Sequence, residues 1–102
     1  MLPYDLTPSA LADLEEIARY TLRQWGEQRM MLYAAALDRC FERIAEGSAV
    51  HRNFSPAFPQ IRVTRCERHY VFFLRAESGR VRIVAVLHER MALLARLRQR
   101  LG

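Results

Sequence analysis

The sequence predicts an α+β protein: a short N-terminal strand, an antiparallel helical hairpin, an antiparallel β-sheet and a short C-terminal helix. Apolar residues recur at helical spacing between residues 8 and 46, and they alternate or run together between residues 61 and 88. Glycines follow both helical segments. With 102 residues, the chain suffices for one domain, 1–102, and is too short for two.

The first elements are a strand and a helix. Residues 2–6 alternate in polarity, and Pro3 places this strand at the edge or start of a sheet. Thr7-Pro8 then reads as a helix N-cap followed by proline at the first helical position. Up to Gly26, the apolar residues at helical spacing are Leu11, Leu14, Ile17, Ala18, Leu22 and Trp25.

A second helix is predicted from about Glu27 to Glu46, ending at Gly47. Its apolar stripe consists of Met30, Tyr33, Ala34, Leu37, Phe41 and Ile44. Because only Gly26 separates the two helices, they must fold back on each other as an antiparallel hairpin.

The second half predicts a loop and three strands. Residues 47–60 have two prolines and no period, so we expect a loop. The strands are expected at about Ile61–Cys66, His69–Arg75 and Val81–His88, with a glycine-containing turn at 76–80. Strict alternation would place Val81, Ile83, Ala85 and Leu87 on one face of the last strand and Arg82, Val84, Val86 and His88 on the other.

Both faces of the last strand are apolar in their middle, and two helices can cover only one face of a sheet. One alternative is a half-open apolar face that receives a partner, rimmed by Arg62, Arg65, Arg75 and Arg82. The other alternative is that the C-terminal segment, about Ala92 to Leu101, folds back over it through Leu93, Leu94, Leu97 and Leu101. The sequence leaves both open.

Charge is unevenly distributed along the chain. All sixteen basic residues are arginine. Residues 1–46 carry a net charge of −3, whereas residues 47–102 carry +8. A basic half prefers acidic partners, which could be nucleic acid, a nucleic-acid enzyme or an acidic peptide. The alternative is a solvated arginine surface without a partner.

Cofactor and metal sites are not expected. Cys40 and Cys66 are interpreted as reduced, buried thiols of a cytoplasmic protein. His88-Glu89 does not begin an HExxH zinc site, because position 92 is alanine. Cys66 and His69, three apart on an extended strand, should point to opposite faces. We find neither a membrane span nor a signal peptide in the sequence.

The order and spacing of these elements resemble the ParE toxins of bacterial type II toxin–antitoxin modules, within the RelE/ParE superfamily. The resemblance is carried by "LTPSALADLEEIARYTLRQWG", "EQRMMLYAAAL", "RHYVFFLR" and "RVRIVAVLHERM". It implies a strand, a helical hairpin and an antiparallel sheet. Within the superfamily, ParE-like members poison DNA gyrase and RelE-like members cut messenger RNA on the ribosome.

The resemblance also implies partners. They are DNA gyrase and a cognate ParD-like antitoxin with a ribbon–helix–helix domain and an acidic flexible tail. Operator DNA would be reached only through the antitoxin, and no membrane is involved. A non-toxic relative that serves as an interaction module is a further alternative.

The residues favour binding over RNA cleavage. Cleavage needs a base for the 2′-hydroxyl, an acid for the leaving oxygen and cations for the phosphate. The resemblance implies that RelE-like members supply these groups with basic residues on the sheet face and a tyrosine or a Glu–His pair near the C-terminal end. This chain has no lysine and no tyrosine after His88, and Tyr70 is expected in the core. We therefore expect a gyrase inhibitor without catalytic residues. A RelE-type endonuclease stays open, because His88, Arg65 and Arg90 could stabilise a phosphate.

Two sets of binding residues follow. The segment "LHERM" leaves the last strand, and Glu89 there could pair with Arg90 or with a neighbour on the preceding strand. The residues expected to bind gyrase are His88, Arg90, Met91, Arg96 and Arg98. The residues expected to bind the antitoxin lie on the half-open face and nearby: Trp25, Arg65, Val71, Phe73, Arg82, Val84 and Val86.

Overall fold

A computed structural model of the chain describes residues 2–89 and 93–101. Its elements are β1 (Tyr4–Leu6), α1 (Pro8–Trp25), α2 (Glu27–Glu46), β2 (Arg52–Ser55), β3 (Phe58–Cys66), β4 (His69–Arg75), β5 (Val81–His88) and α3 (Leu93–Leu101). The strands form one sheet in the order β1-β5-β4-β3-β2. β1 pairs with β5 in parallel, and the other neighbours are antiparallel. The α+β class is confirmed.

The helical hairpin forms where the sequence predicts it. The Thr7 hydroxyl accepts a hydrogen bond from the Ala10 N–H at 3.1 Å and thereby caps α1. Gly26 has φ 91°, which suits the abrupt reversal between the helices. The packed side of α1 differs from prediction, because it runs through Ala10, Leu14, Ile17 and Thr21, whereas Leu11, Leu22 and Trp25 are exposed.

The predicted loop over residues 47–60 is wrong in part, because β2 lies inside it and β3 begins three residues earlier than expected. Ser55 pairs with Phe58, so Pro56 and Ala57 form a tight turn that suits the fixed φ of proline. Pro59 lies within a register shift between β2 and β3. A proline has no N–H to donate, and such an irregularity accommodates it.

A bulge in β5 breaks the predicted alternation. Phe72 pairs with Ala85 and Phe73 with Ile83, so Val84 is an extra residue. As a result, Val84 packs on the same side of the sheet as Ala85, and the strict alternation expected for this strand is wrong beyond Ile83.

Both faces of the sheet are covered. The hairpin covers one face through a core that includes Leu37, Phe41 and Ile44. α3 covers the other face, and Leu97 on it is 0% exposed. Of the two open alternatives, the C-terminal segment therefore folds back, and the half-open apolar face is wrong. Leu93 and Leu97 make this contact, whereas Leu94 and Leu101 are 40% and 39% exposed.

The two cysteines are joined, which corrects the expectation of free thiols. Cys40 on α2 and Cys66 at the end of β3 form a disulfide with a Cα–Cα distance of 6.2 Å. That distance lies in the usual range for disulfides. Both residues are buried, as predicted. Within residues 2–89 and 93–101, no helix has the length and apolarity needed to cross a membrane.

Candidate functional site

A cavity of about 660 Å³, the hairpin cavity, lies between the two helices and the ends of β4 and β5. It is lined by Asp13, Glu16, Ile17, Tyr20, Thr21, Trp25, Arg29, Tyr33, Arg68, His69, Val86, Leu87 and His88. Carboxylates line the α1 wall, and Arg29 and Arg68 supply cations from α2 and the β3–β4 turn. Arg29 and Arg68 can therefore bind anionic groups of a partner and Glu16 a cationic one, whereas Asp13 is engaged by Arg100.

Tyr33 and His69 form a neutral hydrogen-bonded pair in this cavity. The Tyr33 Oη accepts from the Arg68 N–H at 3.1 Å and lies 2.6 Å from His69 Nδ1. The pKa of His69 is lowered to about 4, chiefly by burial and next by the charge of His88. At neutral pH His69 is therefore uncharged, and Tyr33 donates its proton toward Nδ1. The pair ties α2 to the β3–β4 turn.

Asp13 links the cavity to the C-terminal helix. Its carboxylate accepts from the Val86 N–H at 2.9 Å and from both terminal nitrogens of Arg100 at 3.0 and 3.1 Å. Arg100 also donates to the Val84 carbonyl at 3.1 Å. Among the described residues, β1 follows β5 only as far as Ile83. Asp13 and Arg100 therefore satisfy backbone groups of β5 beyond the end of β1.

A ridge at the tip of the hairpin separates this cavity from a second one of about 620 Å³. Trp25, Arg29 and Tyr33 line both cavities. The Arg29 guanidinium lies 5.9 Å from the centre of the Trp25 ring, and Trp25 is 65% exposed. An exposed tryptophan beside two cavities is typical of a partner-binding anchor.

The opposite side of the sheet carries exposed arginines, which we call the arginine face: Arg52, Arg65, Arg82, Arg96 and Arg98. Cross-strand partners share a face, and Arg52, Arg65 and Arg82 pair with Val63, Tyr70 and Leu74, all of which belong to the α3 core. Arg65 forms an ion pair with Glu89 and lies over the Tyr70 ring. The expected partners of Glu89 were Arg90, which lies outside the described residues, and a neighbour on β4, whereas the structure pairs it with Arg65 of β3.

Of the residues predicted to bind the antitoxin, some are buried and others are accessible in the structure. Val71, Phe73 and Val86 are buried in the hairpin core, and Val84 is buried in the α3 core. The faces on which they lie are covered, so the exposed surface that their prediction assumed is absent, and their role as antitoxin contacts stays a prediction. Trp25, Arg65 and Arg82 are accessible, but Trp25 lies on the hairpin side and the two arginines on the arginine face.

The predicted gyrase residues are also separated. His88 is half-buried at the end of β5, lines the hairpin cavity and packs against the His69 ring at 5.2 Å between centroids. Arg96 and Arg98 are exposed on α3, across the sheet from it. Arg90 and Met91 lie outside the described residues.

Sequence reasoning missed Asp13, Arg29 and Tyr33 as site residues. Asp13 and Arg29 carry no local pattern that distinguishes them from solvated helix charges. Tyr33 belongs to the apolar stripe predicted for the second helix, and this position predicts core packing rather than a site.

A metal site is not formed by the described residues. None of their His, Cys, Asp and Glu side chains gathers into a group of three that could hold an ion. The sequence-based expectation that Cys66 and His69 point to opposite faces is wrong, however. Cys66 and His69 end and begin adjacent strands and are cross-strand partners on one face.

Comparisons with known proteins agree with this architecture. The family model of the "ParE toxin of type II toxin-antitoxin system, parDE" matches residues 4–93. The chain is 45% identical to Toxin ParE of Escherichia coli over 101 residues, covering 99% of this chain and 98% of that protein. It is 33% identical to Toxin ParE1 of Caulobacter vibrioides over 91 residues, covering 89% and 93%.

A solved structure shares the fold. It is described as the chromosomal ParDE TA system from P. aeruginosa, with a TM-score of 0.69, 16% identity and coverage of 83% of this chain and 95% of that chain. Fold and relatives together define a class, the toxin components of type II toxin–antitoxin systems. The chain belongs to the ParE toxin family.

Proposed function

We propose that this toxin inhibits DNA gyrase, and thereby replication, by binding in the cytoplasm and without turnover. Membership of the ParE family supports the target. The observation that carries the mechanism is that the arginine face lies across the sheet from the histidines. Arg29 and Arg68 do line the hairpin cavity with His69, but the Nδ1 of that histidine already bonds Tyr33. His69 and His88 are cross-strand partners on the hairpin side, and the His51 ring contacts Phe73 of the hairpin core.

The separation matters because ribonuclease chemistry needs a proton acceptor next to the cations that hold the phosphate. Among the described residues, no histidine shares a face with Arg65, Arg82, Arg96 or Arg98. The carboxylate of Glu89 is engaged by Arg65. His69 holds its Nδ1 against Tyr33. This arrangement favours binding over cleavage.

We infer that a ParD-like antitoxin neutralises the toxin by occupying the hairpin cavity and covering Trp25. The exposed aromatic residues Tyr20 and Trp25 give apolar contact area there. Arg29 and Arg68 on the opposite wall suit the carboxylates of an acidic antitoxin tail.

The test of the target is a pulse-label of DNA, RNA and protein synthesis in cells that express the toxin with and without its antitoxin. We expect DNA synthesis to stop first and the antitoxin to restore growth. Supercoiling and cleavage assays with purified gyrase then measure inhibition directly. If protein synthesis stops first, the gyrase proposal is wrong and the ribosome becomes the target.

A further inference from the structure

The two sides of the molecule differ in the carboxylates that accompany their arginines. The helices of the hairpin, residues 8–46, carry seven acidic and five basic side chains, and Arg62, Arg68 and Arg75 lie on the same side of the sheet. On the arginine face, the acidic side chains Asp5 and Glu89 are both in ion pairs, with Arg80 and Arg65. Among the described residues, four arginines of this face have no carboxylate at ion-pair distance: Arg52, Arg82, Arg96 and Arg98.

These cations are spread over a surface rather than gathered at one point. Arg65 and Arg82 pair with Tyr70 and Leu74, so they are four residues apart along β4 and two strands apart across the sheet. This corresponds to about 13 Å by about 10 Å. Arg96 and Arg98 flank Leu97, which points into the core, so they project on opposite sides of α3. The backbone positions of Arg65 and Arg82 are therefore about 16 Å apart, a spread that can reach several phosphates of a duplex, in which each strand has one about every 3.4 Å along the axis.

We propose that the arginine face binds the phosphate backbone of duplex DNA. Guanidinium groups bind phosphates in pairs of hydrogen bonds, and unpaired arginines on one face supply the counter-charge. Single-stranded nucleic acid would require exposed aromatic side chains for stacking. The exposed aromatics of the described chain, Tyr20 and Trp25, belong to α1 on the other side, and Tyr70 lies under Arg65.

The proposal deepens the proposed function and rests on it for its biological setting, since a gyrase inhibitor meets the DNA that gyrase holds. It assigns Arg96 and Arg98, expected from the sequence to bind gyrase, to the DNA component of that target. An acidic antitoxin tail that reached Arg82 would compete with DNA for the same surface.

The test is fluorescence anisotropy of a labelled 30-base-pair duplex with purified full-length toxin, without gyrase, at several salt concentrations. The variant Arg96→Gln/Arg98→Gln is compared with Arg19→Gln/Arg39→Gln, which removes the same charge from exposed positions on the hairpin. We expect the first pair to weaken binding at least tenfold. It should also reduce the slope of log K against log salt by about 2, because each phosphate contact contributes about 0.9. The control pair should change the affinity less than threefold.

Three results would overturn the proposal: no duplex binding by the wild type, equal losses in both variant pairs, or tighter binding of single-stranded RNA or polyglutamate than of duplex DNA. Thermal melts of both variants check that each is folded. Gyrase supercoiling assays on the same wild-type protein keep the two proposals apart. Inhibition without DNA binding removes this inference alone, and DNA binding without inhibition removes the proposed target alone.

Discussion

Asp13 illustrates how much one side chain can support in this protein. Its carboxylate is 14% exposed, accepts three hydrogen bonds, and joins α1, β5 and α3. If it is lost, the Arg100 charge and the Val86 N–H both lose their acceptor.

We expect Asp13→Asn to lower the free energy of unfolding by about 1–3 kcal/mol, since partly buried donors lose a charged acceptor. Urea unfolding followed by circular dichroism measures it. Glu15→Gln, an exposed position on the same helix, is the matched control and should change stability by less than about 0.5 kcal/mol. Equal effects of the two substitutions would contradict the structural role of Asp13.

His69 should make stability depend on pH. Its pKa is about 4 in the folded protein and near 6.5 when unfolded. As pH falls below about 6.5, the unfolded chain takes up a proton that the folded chain refuses. The stabilisation is present above that pH and is lost toward pH 4, by at most about 1.4 kcal/mol per pH unit.

The measurement is urea unfolding at pH 7.0 and 5.0 for wild type and His69→Gln. The variant loses the Tyr33 bond and starts less stable, but its stability should change less between the two pH values. An unchanged pH dependence in His69→Gln would show that other groups cause it.

At the scale of elements, α3 is short and its attachment is concentrated. Leu97 is fully buried among residues of β3, β4 and β5. We expect Leu97→Ala to cost about 2–4 kcal/mol of unfolding free energy through lost burial and a residual cavity. Leu94→Ala, at a 40% exposed position of the same helix, should cost far less. Denaturant unfolding of both variants measures these changes. Comparable losses of unfolding free energy would mean that α3 does not pack through Leu97.

The disulfide is a second attachment, between α2 and β3. It closes a loop with a sequence separation of 26, and reducing it should lower stability by about 2–4 kcal/mol. The cytoplasm keeps most thiols reduced, so unfolding is measured with and without reductant. In the control variant Cys66→Ser, the reductant should leave stability unchanged. Alkylation of both cysteines in denatured, unreduced protein would refute the bond.

The helical hairpin could be predicted because its signals are local: a threonine cap before the first helix, a glycine after each helix and apolar residues at helical spacing. β2 and the β5 bulge could not, because they depend on pairing between segments. The covering of the second face by α3 was one of two open alternatives, since the burial of Leu97 depends on tertiary packing. The cysteine pairing was missed because connectivity depends on distance in space.

The whole molecule presents two chemically different sides separated by one sheet. The exposed Trp25 and the hairpin cavity form one side, and the arginine face forms the other. Of the predicted site residues, those identified by exposure and charge remain candidates. Those identified as an apolar sheet surface are buried, because the sequence could not tell an open face from a covered one.

The hairpin side should carry most of the antitoxin affinity. We expect Trp25→Ala to weaken binding of the purified cognate antitoxin by tenfold to a hundredfold, as an exposed aromatic anchor does. Isothermal titration measures it. Val50→Ala serves as the control, because Val50 is 91% exposed and precedes β2. Wild-type affinity in Trp25→Ala would place the antitoxin elsewhere.

The pairing of β1 with β5 has a consequence for synthesis of the toxin. The hydroxyl of Thr7, directly after β1, donates to the Val84 carbonyl, 77 residues further along the chain. β1 therefore has no neighbour until β5 has left the ribosome, and the helical hairpin lacks the part of its core that Val81, Ile83 and Val86 supply. Contacts this distant in sequence form late. A nascent chain stalled before residue 81 would expose its apolar helix stripes, which makes it a substrate for chaperones and proteases rather than an active toxin.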